Sequence, residues 1–296
     1  MTEPAPVVVG FDARTSGADA LALGRAFCRV TGARLIVVAV HPAPAAISPG
    51  RVDAEWVADR HRAAEEILDQ ARDLVDAGEP AEYRVVASSS AAHGLHDVAE
   101  GAGAGMIVVG SHHSAGEARM FAGSTAERLL SGSVCPVGVA PAGLRDRSPL
   151  EVTRVGVAYI EEPEAVTALT AATALTQAVL GRGHAAELHL YTVVAPPSDV
   201  PPLFGRDAER AFIATAREHY QTGIDSAIKR LPAGLPAYGH LLTGDVVEVL
   251  ADLGEDDVDV LYCGSRGYGP VRRVLLGGVS SRLVRRARSP VVVVPR

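Results

Sequence analysis

IVVGSHHSAGEARMFAGSTAERLLSGSVCPVGVAP, residues 107–141, returns later in the chain as LYCGSRGYGPVRRVLLGGVSSRLVRRARSPVVVVP, residues 261–295, and the two align without a gap. Gly110 falls on Gly264, Ser111 on Ser265, Gly123 on Gly277, Arg128 on Arg282 and Pro136 on Pro290. Each copy runs from an apolar strand through a glycine-containing loop and a helix to a second apolar strand, which is one βαβ unit. The repeat predicts a duplicated α/β domain. Glycines placed directly after a parallel strand and before a helix are also where such sheets take up phosphate, because bare backbone and helix N-terminal amides approach an anion closely.

Outward from the repeat, both halves show the same alternation. In the first, Val7–Val9 with Gly10, Arg34–Val40 and Tyr83–Ala87 read as strands, and Thr15–Thr31, Asp53–Ala77 and Gly94–Gly101 as helices. In the second, the strands are Arg154–Tyr159, Glu187–Val194 and Gly239–Leu242, and the helices Pro163–Leu180, Asp207–Arg230 and Val246–Leu253. Strands alternating with helices demand a mostly parallel sheet with right-handed crossovers. The expected architecture is two doubly wound, Rossmann-like, five-stranded parallel-sheet domains, residues 1–144 and 150–296, related by a pseudo-twofold axis. The short polar segment Pro141–Pro149 between them is too short to let them swing freely. Val137–Ala140 and Val291–Val294 would be exposed apolar edges unless covered.

Composition narrows the function. The 296 residues suit two domains, and 48% hydrophobic with only 4% aromatic content means cores of Val, Ala and Leu. A formal charge of −7 argues against a nucleic-acid binder. Arg282, Arg285, Arg286 and Arg288, beside Arg272 and Arg273, read as a solvated helix face balanced by acids rather than an anion patch. Cys28, Cys135 and Cys263 lack CxxC spacing and read as buried thiols of a reducing cytosol. No stretch is apolar for long enough to cross a membrane, so a soluble cytoplasmic protein is expected.

The second copy spaces its glycines as Gly264, two residues, Gly267, nine residues, then Gly277–Gly278–Val279–Ser280. Such a loop can leave the sheet and return, so that its glycines converge on one ligand. The pattern resembles the G-x-x-G-(nine)-G-[ST] loop of the ATP-binding universal stress proteins, and the chain resembles their tandem-domain form over nearly its whole length. The resemblance implies that the two domains pair through Val137–Ala140 and Val291–Val294, an intramolecular pseudo-dimer with further dimerisation of the chain allowed, and that ATP, with or without Mg, lies across the carboxyl ends of the strands. It places Asp12 against the adenosine part and Val40, with its counterpart Val193, against the adenine. It assigns the phosphates of the first half to Gly110, Gly123, Ser124 and Thr125, and those of the second to Gly264, Ser265, Arg266, Gly267, Gly277, Gly278 and Ser280.

Each half departs from that pattern differently. His113 stands where the first half should have its second glycine, filling space that a ligand needs. In the second half Ile160 stands where the acid should be, and Gly278 replaces the small hydroxyl residue. A lost carboxylate hydrogen bond weakens binding by about 1.5–3 kcal/mol, roughly tenfold to a hundredfold. The second half, with all its glycines, is the expected nucleotide site.

Other constellations carry less. Gly101–Gly105 precedes a strand instead of following one and reads as a helix-to-strand turn. No P-loop and no G-x-S-x-G elbow occur. His93, His96, His112 and His113 lack converging partners for a metal. Phosphoryl transfer needs a placed base and a held metal, so the expectation is a regulatory nucleotide binder of the stress response, not an enzyme. A nucleotide-free interaction and dimerisation module of the same fold is the alternative. An adenylate-forming enzyme on a related sheet would need a substrate site that the residues do not supply.

Overall fold

Runs of successive valines leave no face for water, so they form strands covered on both sides. A computed structural model of the chain describes residues 3–43, 54–76, 78–113, 120–147, 149–195, 205–265 and 278–295. The first half contains β1 (Val7–Gly10), α1 (Thr15–Thr31), β2 (Leu35–Pro42), α2 (Ala54–Asp73), β3 (Ala81–Ser88), α3 (Ala91–Ala102), β4 (Met106–His113), β5 (Met120–Ala122), α4 (Ser124–Leu130) and β6 (Val137–Ala140). The second contains β7 (Arg154–Ala158), α5 (Pro163–Gly181), β8 (Glu187–Val194), α6 (Gly205–Lys229), β9 (Ala237–Thr243), α7 (Val246–Ala251), β10 (Val260–Gly264), α8 (Gly278–Leu283) and β11 (Val291–Val294).

The strand order is β3-β2-β1-β4-β6-β11-β10-β7-β8-β9, with β5 paired to β4 off this path. Within each half the five path strands are all parallel. Between the halves, β6 and β11 pair antiparallel, Val137 with Val293, Gly138 with Val292 and Val139 with Val291. Gly138 and Val292 are also partners in the sequence repeat, so the pseudo-twofold axis passes through that pair. The two five-stranded parallel domains related by a pseudo-twofold axis are as expected. The pairing of their valine edges, which the resemblance implied, joins the two halves into one continuous sheet, because main-chain donors and acceptors on two apolar edges satisfy one another.

Two apolar layers follow, one on each face, and each spans both halves. Leu21, Phe27 and Leu68 share one with Ala168, Leu175 and Ala227, so α1, α2, α5 and α6 cover that face. Leu95 and Leu129 share the other with Leu250 and Leu283, beneath α3, α4, α7 and α8. The connector is tied down as its length predicted. Asp19 of α1, 1% exposed, accepts hydrogen bonds from the Gly143 and Arg145 amides and faces the Arg145 guanidinium at 3.2 Å.

Local chemistry ends the helices. Ser90 caps α3 by accepting from the His93 amide, and Asp245 caps α7 by accepting from Val247 and Glu248. Gly103 closes α3 with φ 60°, a left-handed turn that glycine adopts without a Cβ penalty, so the Gly101–Gly105 stretch is the expected helix-to-strand turn.

Candidate functional site

Register settles which residues correspond. Val7 pairs with Met106 and Val155 with Val260, which places Ile160 of the second half where the first has Asp12. Leu35 pairs with Val7 and Leu188 with Val155, which makes Val193 the counterpart of Val40. Both correspondences match the sequence reading.

In the second half an open cavity of about 640 Å³ lies at the carboxyl ends of β7, β8 and β10. This is where open parallel sheets present helix N-termini and loop amides to ligands. Val193 and Gly264 line it from the strands and Ser280 from α8, so three predicted residues meet there. Ile160 lines it too and stays 43% exposed. Ser265 is fully buried beside it, its amide bonded to the Val294 carbonyl and its hydroxyl without a hydrogen-bond partner among the described residues. Gly278 opens α8 and is exposed. Arg266, Gly267 and Gly277 lie outside the described residues.

The lining also contains residues that the motif did not mark. Tyr159 and Glu162 come from the β7–α5 turn, Glu164 from α5, Tyr191 from β8, Tyr220 from α6 and Cys263 from β10. Burial pushes the Cys263 thiol up to about 12 and, as the largest cause, the Tyr191 hydroxyl up to about 12. Both are neutral at physiological pH, which leaves the floor apolar and the acids at the rim. Only the strand-end positions of Tyr159 and Cys263 could have flagged them, since Tyr191 lies inside β8. Tyr220 arrives from a distant helix and carries no local signal.

The first half differs at each point. Asp12 Oδ1 accepts from the Arg14 amide at 3.2 Å and the Ser16 hydroxyl at 3.3 Å, so part of the carboxylate is engaged in the turn into α1. Val40 is half-buried and sits over Gly94, where a Cβ would come within 2.9 Å of it. Gly123 precedes α4 without a side-chain cap, and Ser124 and Thr125 form the first turn of that helix. His113 does not sit in an open loop. β4 runs on through it and pairs antiparallel with β5, Ser111 with Ala122 and His113 with Met120.

One glycine acquires a second reason in both halves. A Cβ on Gly110 would lie 2.0 Å from the Ser16 carbonyl oxygen, and one on Gly264 would lie 2.4 Å from that of Glu164. The first turns of α1 and α5 press directly on these strand ends, so the first glycine of each motif is demanded by packing before any ligand arrives.

Of the arginine-rich stretch, Arg272 and Arg273 lie outside the described residues, Arg282 donates to the Gly278 carbonyl, and the other three meet acids. Arg285 meets Glu127 of the other half, Arg286 meets Glu248 and Arg288 meets Asp252, as a solvated, acid-balanced face requires. All three cysteines are buried and free, as expected. Among the described residues no helix is long and apolar enough to cross a membrane.

Comparison with known proteins agrees with this layout. The model of the universal stress protein family matches residues 5–141 and again 151–295. A curated universal stress protein of Mycobacterium tuberculosis (strain ATCC 25618 / H37Rv) is 30% identical over 311 residues, covering 98% of this chain and 99% of the relative. Among solved structures, a universal stress protein from Archaeoglobus fulgidus DSM 4304 superposes with TM-score 0.66 at 20% identity, covering 97% of each chain. A putative universal stress protein from Pseudomonas aeruginosa UCBPP-PA14 superposes with TM-score 0.59 at 16% identity, covering 98% of this chain and 94% of that one. At such identities these structures speak for the fold.

Proposed function

Because this chain belongs to the universal stress protein family, in its tandem two-domain form, we propose that it is a stress-response regulator that binds an adenine nucleotide in its second half. The observation that carries this reading is the cavity at the carboxyl ends of β7, β8 and β10, bounded by Val193, Gly264 and Ser280. Its apolar floor suits a purine ring, and the glycine-rich segment that follows Gly264 supplies main-chain amides for phosphates. Gly267 and Gly277 belong to that segment by sequence. ATP, with or without Mg, is the nucleotide that the loop spacing favours.

Binding without efficient turnover is the proposed mode. The rim offers Glu162 and Glu164, neither of them on the glycine-rich segment assigned to the phosphates. A nucleotide held and not consumed reports the adenylate state of the cell to whatever the protein contacts. A cytoplasmic location and a homodimer of the whole chain belong to the same proposal.

A mass spectrum of freshly purified, denatured protein tests it most directly. Co-purified adenine nucleotide, reduced by Gly267→Val, is the expected result. No nucleotide, together with no heat on calorimetric titration with ATP, would favour the interaction module that has kept only the fold.

A further inference from the structure

His189 on β8 and His240 on β9 stand side by side, with His189 Nδ1 2.9 Å from His240 Nε2. Their rings stack at 5.1 Å, and the ring of Tyr191 stacks on His240 at 4.6 Å. Cross-strand register builds this cluster, since Tyr191 pairs with His240 and His189 with Tyr238. Tyr238 lies 5.4 Å from His189, and its side is open to solvent. The Tyr191 hydroxyl donates to the Asp257 carbonyl in the turn after α7. Tyr191 is also a wall of the cavity. The proton-binding pair is therefore one ring away from the proposed ligand site.

The first half has none of this. By the same register, Ile36 and Val38 occupy the places of His189 and Tyr191, and Glu82 and Arg84 those of Tyr238 and His240. Ile36 and Val38 are completely buried and cannot titrate.

A neutral pair needs one imidazole to donate and the other to accept. One proton can be shared along the same line. A second proton leaves two cations, both donors, at hydrogen-bond distance, and the bond is lost. The surroundings set when this happens. Glu187 lies 3.0 Å from His189 Nε2. Burial, followed by repulsion from His189, holds His240 below the usual histidine range, while Asp257 and Glu187 pull it the other way. Arg154 of β7 also acts on this cluster, opposing Asp257 and Glu187 at Tyr191.

We propose that the His189–His240 pair is a proton-operated latch on the wall of the second-half cavity, whose second protonation breaks the pair, frees Tyr191 from its stack and loosens that wall. The effect on bound nucleotide rests on the reading above; the latch itself does not.

The test uses the ligand-free full chain labelled at histidine rings and valine methyls, followed by NMR from pH 8 to pH 5. The two imidazoles should titrate as a coupled pair in separate steps, with the Val193 methyls moving at the lower step. His240→Phe keeps a ring in the stack and removes the proton, so Val193 should stop responding. His189→Phe should do the same from the other side. Independent, ordinary titration of both rings in the wild type, which needs no variant, would overturn the proposal, as would a Val193 signal indifferent to the lower step. In a second arm, ATP affinity should fall between pH 7.5 and pH 5.5 by about fivefold more in the wild type than in His240→Phe. Equal dependence in both would break the link to the cavity and overturn the proposal. No ATP binding at either pH would count against the nucleotide reading, while the ligand-free titration would still decide the latch.

Discussion

The two strand-end regions share a topology and differ in the described elements that surround the strand tips. In the first half, β4 runs eight residues to His113 and β5 folds back on it, while α3 is twelve residues long. In the second, β10 stops after five residues at Gly264 and α7 after six, and an open cavity lies at the strand ends. The packing glycines, Gly110 and Gly264, serve both alike. What duplication preserved is the framework that seats each helix on its strand. What diverged is the surface at the strand tips, where loops tolerate change at little cost to the core.

The largest expected effect breaks the equivalence at its centre. Val292 is fully buried opposite Gly138, and Val292→Asp places an unpaired charge between the halves. A loss of several kcal/mol is expected, enough to remove the folded state in a thermal melt. Two separate unfolding transitions with one half intact would instead show that the sheet is not a single cooperative unit.

Next come the seat glycines. Gly110→Val and Gly264→Val both push a side chain into helix backbone and should each cost about 1–3 kcal/mol or more. Their melts should look alike, but only Gly264→Val should abolish ATP binding in calorimetry. If Gly110→Val removed it instead, the nucleotide would belong to the first half.

Ile160→Asp sharpens the comparison by restoring the acid at the cavity rim. An ATP affinity gain of about tenfold is expected from one added carboxylate hydrogen bond. His113→Gly, made where the strand pairs with β5, should give no comparable gain; if it does, the ribbon is an adaptable lid over a working site.

The smallest effect is on pH. His240 is held below its ordinary value of 6.5, so the folded state binds fewer protons than the unfolded one as the pH drops. Its contribution is intact above 6.5 and is lost as the pH falls from there through its lowered folded value. The melting midpoint of the wild type should therefore drift down over that window more than that of His240→Phe. Identical drift would show that other groups carry the acid response.

Much of this was legible beforehand because it is local. Thr15–Thr31 is a helix with the ends read from sequence, and Val137–Ala140 and Val291–Val294 are the strands expected. Asp12, Val40 and Val193 stand at or just after the strand ends, where the resemblance placed them. The strand expected over Arg34–Val40 runs on to Pro42, because cross-strand pairing of His41 with Ala87 and Pro42 with Ser88 outweighs the local proline signal. The pairing of β4 with β5 carries no sequence pattern of its own for the same reason. The three residues of β5 gain strand conformation only from pairing with β4.

The sequence by itself determined the duplication, the alternation of strands and helices, the apolar edges and the places where glycine must stand, since each follows from spacing, periodicity or the size of a side chain. Only the tertiary structure decided that the edges merge into one sheet, that Tyr220 reaches the second cavity, and that His189, His240 and Tyr191 stack into one cluster. Those contacts join residues far apart in the chain, and their geometry depends on register and helix placement that no local pattern encodes.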